Sequence, residues 1–454
     1  MTMTKKSVSG GEIKEITVIG GGLAGCEAAW QASRLGVRVK LYEMRPQKMT
    51  EAHKGAGLAE LVCSNSLRSK ELSTGPGLLK KELEAAGSLI MRSAMASEVS
   101  AGSAFAVDRE LFSGYITGAI DNNPLIDVLR EEVTGLQGSG LTIIATGPLT
   151  SPSMTAAILS IVGAEHLFFY DAIAPIIDSL SIEYSKVYIS SRYGKGGDDY
   201  INCPMNREEY DRFFDALIEA DLVHAREFEN AKVFEGCMPV EAMAQRGRDT
   251  LRFGPLKPVG LPNPYTGKIP YAVVQLRPEN AAKTAFNMVG FQTRLKQAEQ
   301  KRVFRLIPGL ENAEFFRLGS IHRNTYINSP LHLNPDTSMK NAPDVYLTGQ
   351  ITGVEGYIES AAMGMLTGIS SAMKAMGHDF TAPPRFSAHG SLLAHITGSD
   401  PVHFVPSNMN FGLLPEDEVM LRIRDKKTRR MKTAELALGN WVKYIRTLET
   451  GLRE

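Results

Sequence analysis

Cysteine is scarce in this sequence: four in 454 residues, Cys26, Cys63, Cys203 and Cys237, with no CxxC pair among them. That spacing suggests neither a zinc site nor a dithiol redox motif. Four thiols in so long a chain do not make a disulfide framework, so a reducing cytoplasm is the simplest setting. No apolar run approaches the roughly 20 residues that cross a bilayer, and no membrane partner is expected. The opening stretch MTMTKKSVSGGEIKE is not followed by the apolar segment of a signal peptide. Net charge is also missing, with 50 basic against 50 acidic residues. Proteins that coat nucleic acid nonspecifically are usually basic, so RNA contact here must come from a local patch. There is no internal repeat and no low-complexity segment.

What is present begins with a complete βαβ pattern. Residues 16–19 (ITVI) read as a short buried strand, Gly20–Gly25 as a glycine turn, Cys26 to Leu35 as a helix ended by Gly36, and Val37–Tyr42 as a second strand closing on Glu43. The turn Gly20-Gly21-Gly22-Leu23-Ala24-Gly25 fits G-x-G-x-x-G. Its first glycine permits the tight turn, its second lets the backbone approach a pyrophosphate, and its third lets helix and strand pack closely. Phosphates then lie on free N–H groups at the helix N-terminus. Glu43, 18 residues past the last glycine (43 − 25), stands where a carboxylate accepts from adenosine ribose hydroxyls. Such a fingerprint alone is weak; framed by strand, helix, strand and acid it is strong.

Two later glycine turns follow apolar strands: Thr146-Gly147 after Leu141–Ala145, and Gly349-Gln350 after Val345–Leu347, the latter feeding a helix through Glu355 and Gly356. Turns of both kinds belong to flavoproteins of the two-dinucleotide-binding type. The single fingerprint argues against a second full domain for a nicotinamide. The expected class is therefore α/β, a Rossmann-like FAD-binding domain from residues 12–172 and 312–454 with an inserted α+β domain at 173–311. Residues 50–110, rich in Gly, Ser and Ala, read as long active-site loops with one helix at Gly77–Ala86. Glu418 to Leu452 reads as largely helical, carrying a basic run (Arg422, Arg424, Lys426, Lys427, Arg429, Arg430, Lys432) that suits RNA phosphates or, equally, a solvated face.

Cys63 (AELVCSNSLRS) and Cys237 (FEGCMPVE) lie in turn-forming segments. Each is either a nucleophile or, the commoner fate, a buried small hydrophobe. Arg68 or Arg323 would supply a cationic field to a reactive thiol. Cys26 and Cys203 read as structural, and His322-Arg323 as either part of a site or a surface loop.

Taken with VIGGGLAGCEAAW, RYGKGGDDYINCPMNREEY, LRFGPLKPVGL, HRNTYINSP and GVEGYIESAAMG, these stretches cover nearly the whole chain. The sequence resembles the folate- and FAD-dependent tRNA (uracil-5-)-methyltransferase family. The resemblance implies that a methylene group passes from 5,10-methylenetetrahydrofolate to a T-loop uridine of tRNA. It implies that FAD, reduced by NADH or NADPH, supplies the reducing equivalents. It places the nucleophile on Cys237, the proton acceptor on Cys63, and folate near Tyr357, His322 and Arg323. It leaves the oligomeric state open. Competing readings are a related wobble-uridine flavoprotein, whose chains are longer at the C-terminus, the same chemistry on a ribosomal RNA uridine, and a non-catalytic flavin-stabilised RNA-binding protein.

Overall fold

The structure, a computed structural model, describes residues 14–50, 52–136, 140–163, 166–194, 199–223, 238–280 and 282–451, without the side chains of 166–173, 320–325 and 421. A six-stranded sheet runs in the order Ser338–Met339, Ala342–Leu347, Leu141–Ile144, Glu15–Ile19, Arg38–Tyr42, Ile126–Leu129. Five of its strands are parallel and only Ser338–Met339 runs opposite. Parallel strands place all their carboxyl ends on one edge. All three glycine turns therefore meet at that edge, on either side of Glu15–Ile19, where the chain order reverses and such sheets bind ligands.

The fingerprint helix spans Leu23–Arg34, so it starts three residues earlier than the sequence suggests and takes Leu23, Ala24 and Gly25 into its first turn. It packs against the long helix Tyr357–Met376, which is apolar or small on nearly all sides and buried accordingly. The two backbones touch: a Cβ at Gly364 would stand 2.3 Å from the carbonyl oxygen of Ala24, and one at Gly368 2.4 Å from that of Ala28.

Residues 50–110 are not the loops expected from their composition. Helices Gly75–Ala85 and Leu89–Ala96 and a three-stranded sheet of Ser66–Ser69, Ala104–Val107 and Glu98–Val99 fill the stretch. Leu78, Leu79, Leu83, Ile90 and Met91 join the main core. Small residues there serve close packing, which composition does not distinguish from a loop. Glu82 anchors the C-terminal part. Its carboxylate accepts from the backbone N–H of Ala388 (2.7 Å) and His389 (2.9 Å) and meets His389 Nδ1 at 2.7 Å, capping the helix Ala388–Gly398. The His389 ring stacks on Trp441 at 4.0 Å, and Trp441 donates to the Glu82 carbonyl. Trp441 belongs to the helix Lys426–Gly451; the expected basic run is split, with Arg422 and Arg424 ahead of that helix.

A second sheet is antiparallel throughout, in the order Tyr188–Ile189, Ile201–Met205, Ala272–Pro278, Ala285–Met288, Ile176–Asp178, Phe315–Arg317. Its own core gathers Phe213, Phe291, Phe304 and Tyr210, with Cys203 fully buried among them. The chain enters this sheet after the strand His166–Ile173 and leaves it before Ser320–Ile327, and these two strands pair antiparallel along their whole length. No helix is long and apolar enough to cross a membrane among the described residues.

The close helix crossing makes a test. Gly364→Ala should lower unfolding free energy by about 1–3 kcal/mol through overpacking. Gly114→Ala, on a helix where an added Cβ meets nothing within 4 Å, should be neutral or stabilising. Urea midpoints of the two variants check this; equal midpoints would contradict the packing argument.

Candidate active site

A cleft of about 1030 Å³, open to solvent, lies along the carboxyl edge of the parallel sheet. Gly20, Gly21, Gly22, Leu23 and Ala24 line it together with Glu43, Thr146, Gly147, Gly349, Gln350 and Tyr357. Gly25 does not line it. A Cβ there would fall 1.9 Å from the Gly20 carbonyl oxygen, so that glycine serves the strand-to-helix contact. A Cβ at Gly22 would meet no protein atom within 4 Å. Nothing in the protein requires a glycine at 22 for space, whereas a phosphate brought against the Leu23 helix would. The residues present thus fit a dinucleotide.

Glu43 is buried at 6% exposure. It accepts from the Gly21 N–H (3.0 Å), the Arg45 N–H (3.0 Å) and the Arg45 guanidinium at Nε (3.0 Å) and Nη2 (3.2 Å). Burial alone would raise its pKa, but the Arg45 hydrogen bonds and charge and the two backbone donors outweigh it and hold the carboxyl below the usual range. The expected ribose acceptor is therefore also the brace of the glycine turn. Arg45, 2% exposed and paired with Glu60 at 2.9 Å, is its partner, and sequence reasoning missed it. The YEMRP stretch placed an arginine two residues after the acid, a spacing that could have signalled the pair.

Val62 and Tyr357 also line the cleft; Cys63, half-buried, follows Val62 in the chain and does not itself line it. The Tyr357 hydroxyl accepts from the backbone N–H of Cys63 (2.7 Å) and of Ser64 (3.2 Å). Burial, with Cys63 alongside, pushes that hydroxyl well above the ordinary tyrosine range, so it keeps its proton at neutral pH. Three arginines hold the same segment. Arg109 donates to the Leu61 carbonyl. Arg317 donates to the Val62 carbonyl at 2.9 Å. Arg277 donates to Ser64 Oγ (2.8 Å) and Asn65 Oδ1 (3.0 Å). One carboxylate, Glu279, pairs with Arg109 at 2.6 Å. Burial would lower the Arg109 pKa, but Glu279 raises it above the usual value, while burial depresses Arg277 and Arg317. Arg317 Nε and Nη2 are buried without a hydrogen-bond partner.

Arg68 is not the field supplied to Cys63: it faces Glu359 at 3.5 Å. Arg109, Arg277 and Arg317 take that place, and they come from elements far apart in sequence, which spacing does not reveal. Cys26 is structural as expected, its thiol donating to the Gly21 carbonyl and pushed up strongly by burial. Glu355 is buried behind Gly356, which caps the Tyr357 helix; neither lines the cleft. His322 and Arg323 lie on a strand, opposite Asp171 and Tyr170, and not in a loop. Cys237 lies outside the described residues.

Comparison with known proteins agrees with this geometry. The family model described as glucose inhibited division protein A matches residues 15–379. A protein of Geobacter sulfurreducens called methylenetetrahydrofolate–tRNA-(uracil-5-)-methyltransferase TrmFO is 56% identical over 431 residues, 95% of this chain and 99% of its own. One of the same name from Pelotomaculum thermopropionicum is 55% identical over 435 residues, covering 96% and 99%. The chain belongs to this methyltransferase family. Aquifex aeolicus GidA, solved in two crystal forms, superposes with TM-scores of 0.68 and 0.67 at 16% and 17% identity. The match covers 96% and 97% of this chain and 73% and 76% of that protein, and it shows the shared α/β fold.

Two measurements test the cleft. Gly22→Glu should purify colourless, because a carboxylate would fill the phosphate position; a retained yellow flavin spectrum would refute the assignment. Glu43 is stabilised as the anion. Its contribution is complete above the ordinary glutamate pKa of about 4.3 and is lost as pH falls through the lower folded value. Wild-type flavin retention after ultrafiltration should fall only below about pH 4. Arg45→Met should release flavin at higher pH, and identical profiles would discount the brace.

Proposed function

We propose that this protein transfers a one-carbon unit from 5,10-methylenetetrahydrofolate to carbon 5 of a T-loop uridine in tRNA, giving 5-methyluridine. The observation that carries the reading is the 56% identity to a methyltransferase of that name along 95% of the chain. The cleft supports it: the glycine turn lines it, and so does Tyr357, whose hydroxyl holds the Cys63 backbone.

Carbon 5 of uracil is too weak a nucleophile to attack a methylene unaided. Thiolate addition at carbon 6, the role we assign to Cys237, leaves an enolate and makes carbon 5 nucleophilic. Negative charge then develops on a pyrimidine oxygen. Arg109, Arg277 and Arg317, three guanidiniums against one carboxylate, Glu279, among the described residues, provide a field for that charge in a half-buried site. Once carbon 5 carries the methylene, its proton leaves to a base, the role assigned to Cys63. The Tyr357 hydroxyl fixes the Cys63 and Ser64 amides, so the thiol sits on an immobilised backbone. As that proton leaves, the amine that carried the carbon departs; FAD, when bound, would supply the hydride equivalent that completes the methyl group and releases the Cys237 thiolate from carbon 6, with NADH or NADPH as its reductant. Gly22, the Leu23 helix N-terminus and Glu43 would hold it, with Thr146, Gly147, Gly349 and Gln350 on the facing turns. Folate is assigned to the neighbourhood of Tyr357, His322 and Arg323. The uridine must leave its stack to reach this depth. The setting is cytoplasmic.

Cys237→Ala should keep its flavin and lose transfer of label from methylenetetrahydrofolate to a tRNA transcript. Label in RNA at the wild-type rate would remove Cys237 from the mechanism. Nuclease digestion and mass spectrometry of tRNA and ribosomal RNA from a deletion strain identify the target. Loss of 5-methyluridine from ribosomal RNA alone would replace tRNA as substrate.

A further inference from the structure

Away from the cleft, Tyr193 combines strain with exposure. Its backbone is left-handed (φ 60°, ψ 22°), a conformation that L side chains adopt rarely and that surrounding structure must impose. The imposing contacts are visible. The Tyr193 N–H donates to the Gly260 carbonyl at 2.9 Å, and a Cβ on Gly260 would lie 2.6 Å from the Tyr193 ring. The ring is nevertheless 61% exposed. An apolar face held on a strained backbone yet left in water is not explained by packing.

Its neighbour Arg192 is half-buried and donates to the carbonyls of Val259 and Lys257 and to Gln275 Oε1 (3.1 Å). All three acceptors are neutral, and no carboxylate pairs with Arg192 among the described residues. Gln275 and Arg277 are two residues apart on the strand Ala272–Pro278, so their side chains share one face about 7 Å apart. Arg277 in turn touches Ser64 and Asn65 beside Cys63. Tyr200, whose hydroxyl donates to the Ala101 carbonyl at 3.0 Å, feels the charge of both arginines and of the adjacent Asp199 carboxylate. Contacts thus lead from Arg192 beside the exposed Tyr193 ring through Gln275 and its strand neighbour Arg277 to the Cys63 segment.

We propose that Arg192 and Tyr193 form a nucleotide subsite, in which Tyr193 stacks on an unpaired base next to the extruded uridine and Arg192 contacts its phosphodiester. The inference rests on the RNA-modifying reading above and adds to it the residues that hold the flanking strand. An exposed ring offers a π-face to any base, and an uncompensated guanidinium suits a phosphate. A protein partner would more naturally seal such a ring within an apolar surround; here its nearest companions are a cation and a glycine turn.

The experiment uses flavin-loaded enzyme and a T-arm RNA hairpin. Tyr193→Ala should raise the KM for RNA about tenfold, the effect of one lost base stack, with kcat and the KM for methylenetetrahydrofolate unchanged. Tyr193→Phe should restore most of that affinity. Tyr193→Gly relieves the backbone strain, so it tests the ring even if the alanine variant folds poorly, and it should also show the raised KM. Arg192→Gln should weaken hairpin binding and reduce the slope of log affinity against log salt by about one phosphate contact. Tyr265→Ala, exposed in the turn that precedes the strand Ala272–Pro278, should match wild type. Wild-type KM values in both Tyr193→Ala and Tyr193→Gly would overturn the subsite. Should wild-type enzyme methylate only ribosomal RNA, the tRNA reading fails, and the same variants assayed on that RNA still decide the subsite.

Discussion

The site depends on how five residues, 61–65, are pinned between the two sheets. Tyr357 reaches them from the first turn of the helix that crosses the fingerprint helix, and Arg109 from the helix Arg109–Asp121. Arg277 and Arg317 reach them from the antiparallel sheet, and Asn65 ties back to the carbonyls of Val107 and Pro278. Each contact ends on backbone or on a short polar side chain, so the segment has no freedom to drift with a rotamer. Positioning therefore passes directly from two separate hydrophobic cores to one thiol. A shift of either core moves Cys63 relative to the cleft.

Holding the segment this way carries an electrostatic penalty. Among the described residues, three buried or half-buried guanidiniums share one carboxylate, and two buried donors of Arg317 have no partner. A hydrogen-bond donor buried without a partner costs about 1–3 kcal/mol, more when charged. Beside the glycine turn the excess has the other sign: two carboxylates, Glu43 and Glu60, share the Arg45 guanidinium. Among the described residues the two clusters therefore differ in the sign of their excess charge, anionic beside the glycine turn and cationic around residues 61–65.

How much of this was legible in the sequence follows from the range of the interactions. The βαβ unit is local, so alternation, glycine spacing and the acid at its end placed the nucleotide turn correctly to within a few residues. The three carboxyl-edge turns were each visible, and parallel pairing brings them together. Residues 50–110 misled because Gly, Ala and Ser mean either a loop or a tight helix contact, and only the partner surface decides between them. The arginines around Cys63 were invisible for another reason. Arg109, Arg277 and Arg317 are separated from Cys63 by 46, 214 and 254 positions, and no periodicity links them. For His322 and Arg323 the sequence leaves a site and a surface loop equally open; the strand that holds them is made regular by pairing with His166–Ile173, which is distant in sequence.

That paired ribbon also bears on how the halves move. Both passages of the chain between the sheets go through its two strands, one outward and one back. Antiparallel pairing over eight residues resists sliding but permits bending and twist about the ribbon. The contacts that oppose such a bend lie on the far side, at Arg109–Glu279, Arg277–Ser64, Arg317–Val62 and the Gly102 N–H on Asp199 (2.6 Å). Most of these involve the Cys63 segment or residues next to it in space. The bonds that join the antiparallel sheet to the rest of the protein are thus in large part the bonds that orient the thiol, although the residues that make them are scattered along the whole chain.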